Sequence, residues 1–127
     1  MKTRLMLMAG AVVLLAACAP GDLRPVDLQP GTPCAYCRMT VVDPKLASQI
    51  VAPGEDPRIF DDIGCLQAYL AEHPGLADSA GVFVADHSSG EWLRLREAVV
   101  TRNPAIATPM NSHLVAHRAA AGGTRDR

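Results

Sequence analysis

The chain opens with an apolar run, Leu5 to Ala17, that carries no charge and follows Lys2 and Arg4. Behind it, Ala19 to Pro33 (APGDLRPVDLQPGTP) keeps no hydrophobic period and holds four of the ten prolines. Such a stretch predicts an extended tether. Beyond it, Met39-Thr40-Val41-Val42 and Ala47-Ser48-Gln49-Ile50-Val51-Ala52 are β-prone runs separated by Asp43-Pro44-Lys45, which predicts a hairpin. Arg58-Ile59-Phe60 predicts a short strand. Asp61-Asp62 then offers an N-cap to a helix whose Ile63, Leu66, Tyr69 and Leu70 share one face, and His73-Pro74-Gly75 ends it. A second β segment runs through Gly81-Val82-Phe83-Val84-Ala85-Asp86, turns at Ser88-Ser89-Gly90 and returns through Glu91-Trp92-Leu93 toward Ala98-Val99-Val100-Thr101. Met110 to His117 fits either a strand or one to two helical turns. Two or three strands, a helix and further strands define an α+β protein.

The first run is too short for an ordinary membrane-spanning helix, which needs roughly 20 residues, and it ends in small residues as a cleavable secretion signal does. Leu15-Ala16-Ala17-Cys18 is similar to the lipobox of bacterial lipoproteins, in which the Cys is acylated and becomes the new N-terminus. Cys18 is therefore the expected lipid anchor on the periplasmic side of a Gram-negative envelope. Ala19 in place of Asp after the anchor favours the outer membrane. At the other end, AAAGGTRDR predicts a frayed tail.

Lys2 and Arg4 leave with the signal, so the 12 basic residues of the chain become ten against 13 acidic ones, a formal charge of −3. With no basic stripe and few aromatics, nucleic-acid binding has no support. Asp61, Asp62, Asp86 and Glu91 show no spacing for acid/base work, and no nucleophile elbow, phosphate loop or dinucleotide fingerprint occurs, so no enzyme is expected.

Three cysteines remain after Cys18: Cys34, Cys37 and Cys65. In an oxidising compartment an odd number cannot all pair, so at least one stays free, binds metal or cross-links. Cys34-Ala-Tyr-Cys37-Arg-Met39 places three sulfurs within six residues. Soft thiolate and thioether donors select Cu(I) over hard cations. Cys37 and Met39 are two apart and share a face if a strand begins there. Met110, after Pro109 in a polar loop, can close a trigonal site, although a Met alone is more often core or surface.

Three other readings of the CxxC stay open. A thiol-disulfide oxidoreductase needs the second Cys to lead into a helix, whereas a β-prone stretch follows Cys37. Structural zinc needs about four ligands, for which the chain offers only the isolated Cys65, His73, His87, His113 and His117. A plain Cys34–Cys37 disulfide leaves Met39 unexplained. Cys65 within the helix reads as a buried small hydrophobe, and His113 and His117 read as a solvent-exposed pair unless their segment is helical.

Taken in order, Cys18, the proline-rich stretch, Cys34-Ala-Tyr-Cys37-Arg-Met39-Thr40, Phe60-Asp61-Asp62-Ile63-Gly64-Cys65-Leu66, Gly90-Glu91-Trp92 and Thr108-Pro109-Met110 resemble the NosL family of lipoprotein accessory factors of nitrous oxide reductase. The resemblance implies a Cu(I) metallochaperone that supplies copper for the copper–sulfur centre of that reductase, and so a role in denitrification. It implies small ββαβ-like units, mainly antiparallel with one main helix, related to the fold of organomercurial lyase. By motif match, Cys37 and Met39 carry the metal first, then Met110, then Cys34. The expected division is a signal peptide (1–17), a lipidated N-terminus and tether (18–33), a NosL-like copper-binding domain (34–118) and a flexible tail (119–127). The chain departs from the family pattern in having Asn111 rather than Gly after Pro-Met and in ending soon after His117. The second unit is therefore expected to be incomplete, or completed by a partner chain in a homodimer.

Overall fold

A computed structural model describes residues 22–120. Cys18, the signal peptide and most of the tail lie outside the described residues. A four-stranded antiparallel sheet is built from β1 (Ser48–Val51), β2 (Arg58–Phe60), β3 (Gly81–Ala85) and β4 (Trp92–Arg94) in the order β2-β1-β3-β4. The helix α1 (Ile63–Glu72) connects β2 to the short α2 (Leu76–Ser79), which leads into β3. A separate two-stranded antiparallel sheet pairs β5 (Ala98–Arg102) with β6 (Leu114–Arg118). The first ββαβ unit is complete, and the second sheet carries no helix of its own among the described residues.

Strand alternation divides the larger sheet into two buried faces. Ser48 lies opposite both Phe60 and Val84, and Val84 opposite Leu93, so these four share one face. With Ile50 they meet Ile63 and Leu66 of α1 in the core, which Ala116 of β6 joins. Gln49, Ile59 and Phe83 are in register on the other face and are buried as well. The proline-rich stretch covers them: the Val26 N–H donates to Gln49 Oε1 at 2.9 Å and Gln49 Nε2 returns a bond to the Val26 carbonyl at 3.0 Å. Arg94 fastens it again, donating to Asp22 and to the Leu23 carbonyl. From Asp22 onward the expected tether is thus a strap across the sheet. Gly81 makes room for it, since a Cβ there would stand 3.2 Å from Leu23 Cβ and 2.7 Å from the Phe83 ring.

The hairpin expected from residues 39–52 does not form. Thr40 bridges Pro33 and the Val41 N–H donates to the Thr32 carbonyl, so this run pairs with the strap. Both edges of β1 are already occupied, by β2 and β3, and no place is left for a further strand. Asp43-Pro44-Lys45 turns as expected but belongs to a 3-10 helix, Pro44–Leu46, that Asp43 caps through the Lys45 N–H. The segment from Met110 resolves into a loop followed by strand β6, which rules out a shared helical face for His113 and His117.

Asp86 ties the two sheets together. Its carboxylate accepts the N–H groups of Ser88 and Ser89 in the β3–β4 turn and that of Arg118 in β6. The Ser89 N–H foremost, with those of Arg118 and Ser88 and the nearby His117, holds its pKa down at about 2. An unfolded Asp titrates near ~3.9, so this contribution to stability is complete at neutral pH and is lost as the pH falls from about 4 toward 2. Urea midpoints measured through that range should fall for the wild type, and Asp86→Asn should flatten the decline. Gln49→Ala should lower the unfolding free energy by about 1–3 kcal/mol, because it leaves the Val26 N–H and C=O unpaired beneath the strap. Chemical denaturation measures the loss, and faster amide exchange at Val26 localises it.

Candidate metal centre

The CxxC segment is a closed loop. The Cys34 N–H donates to the Met39 carbonyl at 2.7 Å, the Arg38 N–H donates to the Cys34 carbonyl at 3.1 Å, and Arg38 adopts φ +67° to make the turn. This curl turns Cys37 back on Cys34, whose Sγ accepts the Cys37 N–H at 3.5 Å. The Ala35 N–H bonds to the Ile59 carbonyl and so sets the loop beside the end of β2, where Phe60 leads into Asp61 and Asp62.

At that point the chain enters α1, and the two aspartates take different tasks. Asp62 is the N-cap in extended conformation, accepting the Gly64 N–H at 2.6 Å. Asp61 is equally buried, yet its only side-chain hydrogen-bond partner among the described residues is the Cys37 thiol, 3.4 Å from each carboxylate oxygen. One turn into the helix, Cys65 faces the same spot. One ligand atom from each of Cys34, Cys37, Asp61 and Cys65 lies within 4.8 Å of all the others. Two sulfurs on one metal at about 2.3 Å stand roughly 4 Å apart, so a small contraction would let this set close on an ion.

Cys34, Asp61 and Cys65 are buried, and Cys37 is the half-exposed member through which solvent reaches the group. Burial raises the Cys37 thiol pKa, and Cys34 and Asp61 push it the same way against the opposing Met39 N–H. Burial, followed by the nearby Cys34, Cys37 and Asp61, drives that of Cys65 strongly upward. Without a cation these thiols hold their protons at neutral pH, because ionising them would gather negative charges in a poorly solvated spot.

Of the residues expected to bind metal, Cys34 and Cys37 meet in this cluster. Met39 and Met110 have exposed side chains and are tied in by their backbones: the Met39 carbonyl accepts the Cys34 N–H, and the Met110 N–H donates to Asp62 at 2.8 Å. Cys65 and Asp61 are the additions. Cys65 is buried as a small hydrophobe would be, but its sulfur joins the other two. The unpaired third cysteine and the doubled aspartate at a helix start needing one cap were the signals in the sequence. The histidines lie elsewhere. His73 stacks on Tyr69, His113 Nδ1 bonds the Ile106 carbonyl, and the His117 ring stands edge-on to His87 with centroids 6.2 Å apart.

The chain is thus a small α+β domain with three thiols and a carboxylate, at the junction of a strand and a helix, that could hold a metal ion. The NosL family model matches residues 25–123, and the chain belongs to the NosL family. No curated protein and no solved structure matches it. Family and cysteine-rich site together indicate a copper-related function. No helix among the described residues is long and apolar enough to cross a membrane.

Brief alkylation of the reduced, metal-free protein, read by mass spectrometry, should modify Cys37 first. Its rate should still be rising above pH 8, and Cys34 and Cys65 should react only under denaturing conditions.

Proposed function

We propose that the chain is a periplasmic Cu(I) metallochaperone, lipid-anchored through Cys18, that delivers copper for assembly of the copper–sulfur centre of nitrous oxide reductase. The observation that carries this reading is the convergence of Cys34, Cys37, Cys65 and Asp61 on one point, with the exposed Met39 and Met110 joined through their backbones to Cys34 and to Asp62. Copper here is cargo. Thiolates and thioethers suit a soft monovalent ion, and the donors differ in access as transfer requires. Buried Cys34 and Cys65 retain the ion, while half-exposed Cys37 and the two methionines meet the acceptor. A ligand of the acceptor adds at that side, a thioether leaves, and the thiolates let go afterwards. Because burial holds the protons on Cys37 and Cys65, loading releases protons and weakens as the pH falls.

The chief rival, a thiol-disulfide oxidoreductase, needs an attacking thiol of lowered pKa. Burial moves Cys37 the other way. The donor set also fits Zn(II), in contrast to the ligand-poor zinc reading of the sequence, so the metal must be chosen by competition.

Under anaerobic reducing conditions the protein should bind Cu(I) stoichiometrically against a competing chelator and in preference to Zn(II), with proton release in weakly buffered solution. Cys37→Ser should lose tight binding with an unchanged circular dichroism spectrum. Unimpaired binding by that variant would remove Cys37 from its role, and a preference for Zn(II) would overturn the cargo. Incubation of the loaded protein with copper-free nitrous oxide reductase should restore the reductase's copper absorption, whereas no transfer would refute delivery.

A further inference from the structure

Asp62 does more than cap a helix. Its two carboxylate oxygens gather the Gly64 N–H at 2.6 Å, the Met110 N–H at 2.8 Å and the Ser112 hydroxyl, and Ser112 Oγ is in turn 3.4 Å from Thr108 Oγ1. A cap requires only the first. The others come from a loop 46 to 50 residues further along the chain and fasten it to the first turn of α1. The loop is organised for this contact. Thr108 Oγ1 accepts the His113 N–H at 3.0 Å, Ser112 Oγ accepts the Leu114 N–H at 3.1 Å, and both Asn111 and His113 adopt positive φ. Such a conformation in two non-glycine residues persists where surrounding bonds fix it. The helix surface is shaped to receive the loop, since a Cβ on Gly64 would stand 2.9 Å from Ser112 Cβ. Gly64 costs the helix about 1 kcal/mol relative to Ala, so a close approach of another chain segment gives it a purpose there.

We infer that Asp62 is a positioning residue for copper: it latches the Thr108–Ser112 loop to α1 and thereby holds the Met110 thioether beside the Cys34–Cys37–Cys65 cluster. This deepens the metallochaperone reading and rests on it. Asp62 follows Asp61, whose carboxylate touches the Cys37 thiol, so the residue that anchors Met110 adjoins the cluster in the chain. The thiolate donors come from the strap, its loop and the helix, while the thioether comes from the far end of the domain. A ligand mounted on a latched loop can leave without disturbing the other three.

Three variants loosen the latch in different ways. Asp62→Asn keeps an oxygen for the Gly64 N–H and so the cap, but presents an NH₂ to the Met110 N–H. Gly64→Ala favours the helix and displaces Ser112. Ser112→Ala removes one donor. Each is compared with Met110→Ala for Cu(I) affinity by chelator competition and for sulfur coordination by copper K-edge absorption, all on the reduced protein. Met110→Ala should lower affinity about tenfold or more and remove one sulfur from the copper shell. Asp62→Asn and Gly64→Ala should each reproduce both effects, and should add less than about twofold when combined with Met110→Ala. If Asp62→Asn does not fold, Gly64→Ala and Ser112→Ala carry the comparison. Additive losses, or an undiminished sulfur shell in the latch variants, would overturn the positioning role while copper binding stood. Wild-type affinity in Met110→Ala would overturn it by removing Met110 from the site. Absence of Cu(I) binding by the wild type would sink the chaperone reading and this inference with it.

Discussion

Two adjacent buried carboxylates at the exit of β2 govern the arrangement of everything around them. Burying an ionised carboxylate without partners costs several kcal/mol or forces it to take up a proton, so each must be answered by donors. Asp62 is answered fully. Although burial opposes its ionisation, the donations from Ser112, Met110, Gly64 and Thr108 prevail and keep its pKa below the ordinary value. Among the described residues Asp61 has only the Cys37 thiol, a weak donor, 3.4 Å from both oxygens. A buried acceptor so poorly served is where a cation would be most stabilising, and the three sulfurs surround that same spot. A buried carboxyl so placed among three sulfurs is thus itself an argument for a metal among them.

Asp62, together with Asp86, explains how an otherwise small domain holds its parts in register. Asp62 joins the helix start to the loop before β6, and Asp86 performs the parallel service at the end of β3, binding the β3–β4 turn and β6. The two-stranded sheet of β5 and β6 is therefore attached at both ends of β6 by carboxylates, with Ala116 packed into the common core between them. A strand pair with no helix of its own gains little stability alone, and these bonds make it part of one structure.

Much of the fold was legible in the residues. The β-branched and aromatic run Gly81–Asp86, the Ser-Ser-Gly turn, and the Asp cap with its 3.6-residue periodicity located β3, β4 and α1, because these elements are governed by local chemistry. The misread hairpin shows the limit. Residues 39–42 have strand propensity, but propensity does not say which neighbour has a free edge, and β1 had none. Gln49 shows it too: a polar residue at an inward position reads as a solvent face until the strap supplies both its bonds. Within the metal centre, Cys34 and Cys37 were visible as a pair, since their spacing is local. Cys65 and Asp61 were not, because a lone cysteine on a helix looks like packing and a doubled aspartate looks like capping until tertiary structure brings them to the thiols.

The strap changes what the proline-rich stretch can do for a lipid-anchored protein. A free tether from Cys18 to Cys34 would span up to about 50 Å at ~3.3 Å per residue. Its fastening at Asp22, Leu23 and Val26 removes residues 22–33 from that reach, because they lie against the sheet. The direction of the strap then matters. It begins beside Gly81, which pairs with Val51 at one end of the sheet, and finishes at Cys34, beside the Phe60 end. The thiol cluster with its half-exposed Cys37 therefore lies toward the Phe60 end of the sheet, remote from the Gly81 end where the strap begins. The prolines that suggest a flexible leash instead preset an extended backbone at low entropic cost, and that backbone lies down as a strap.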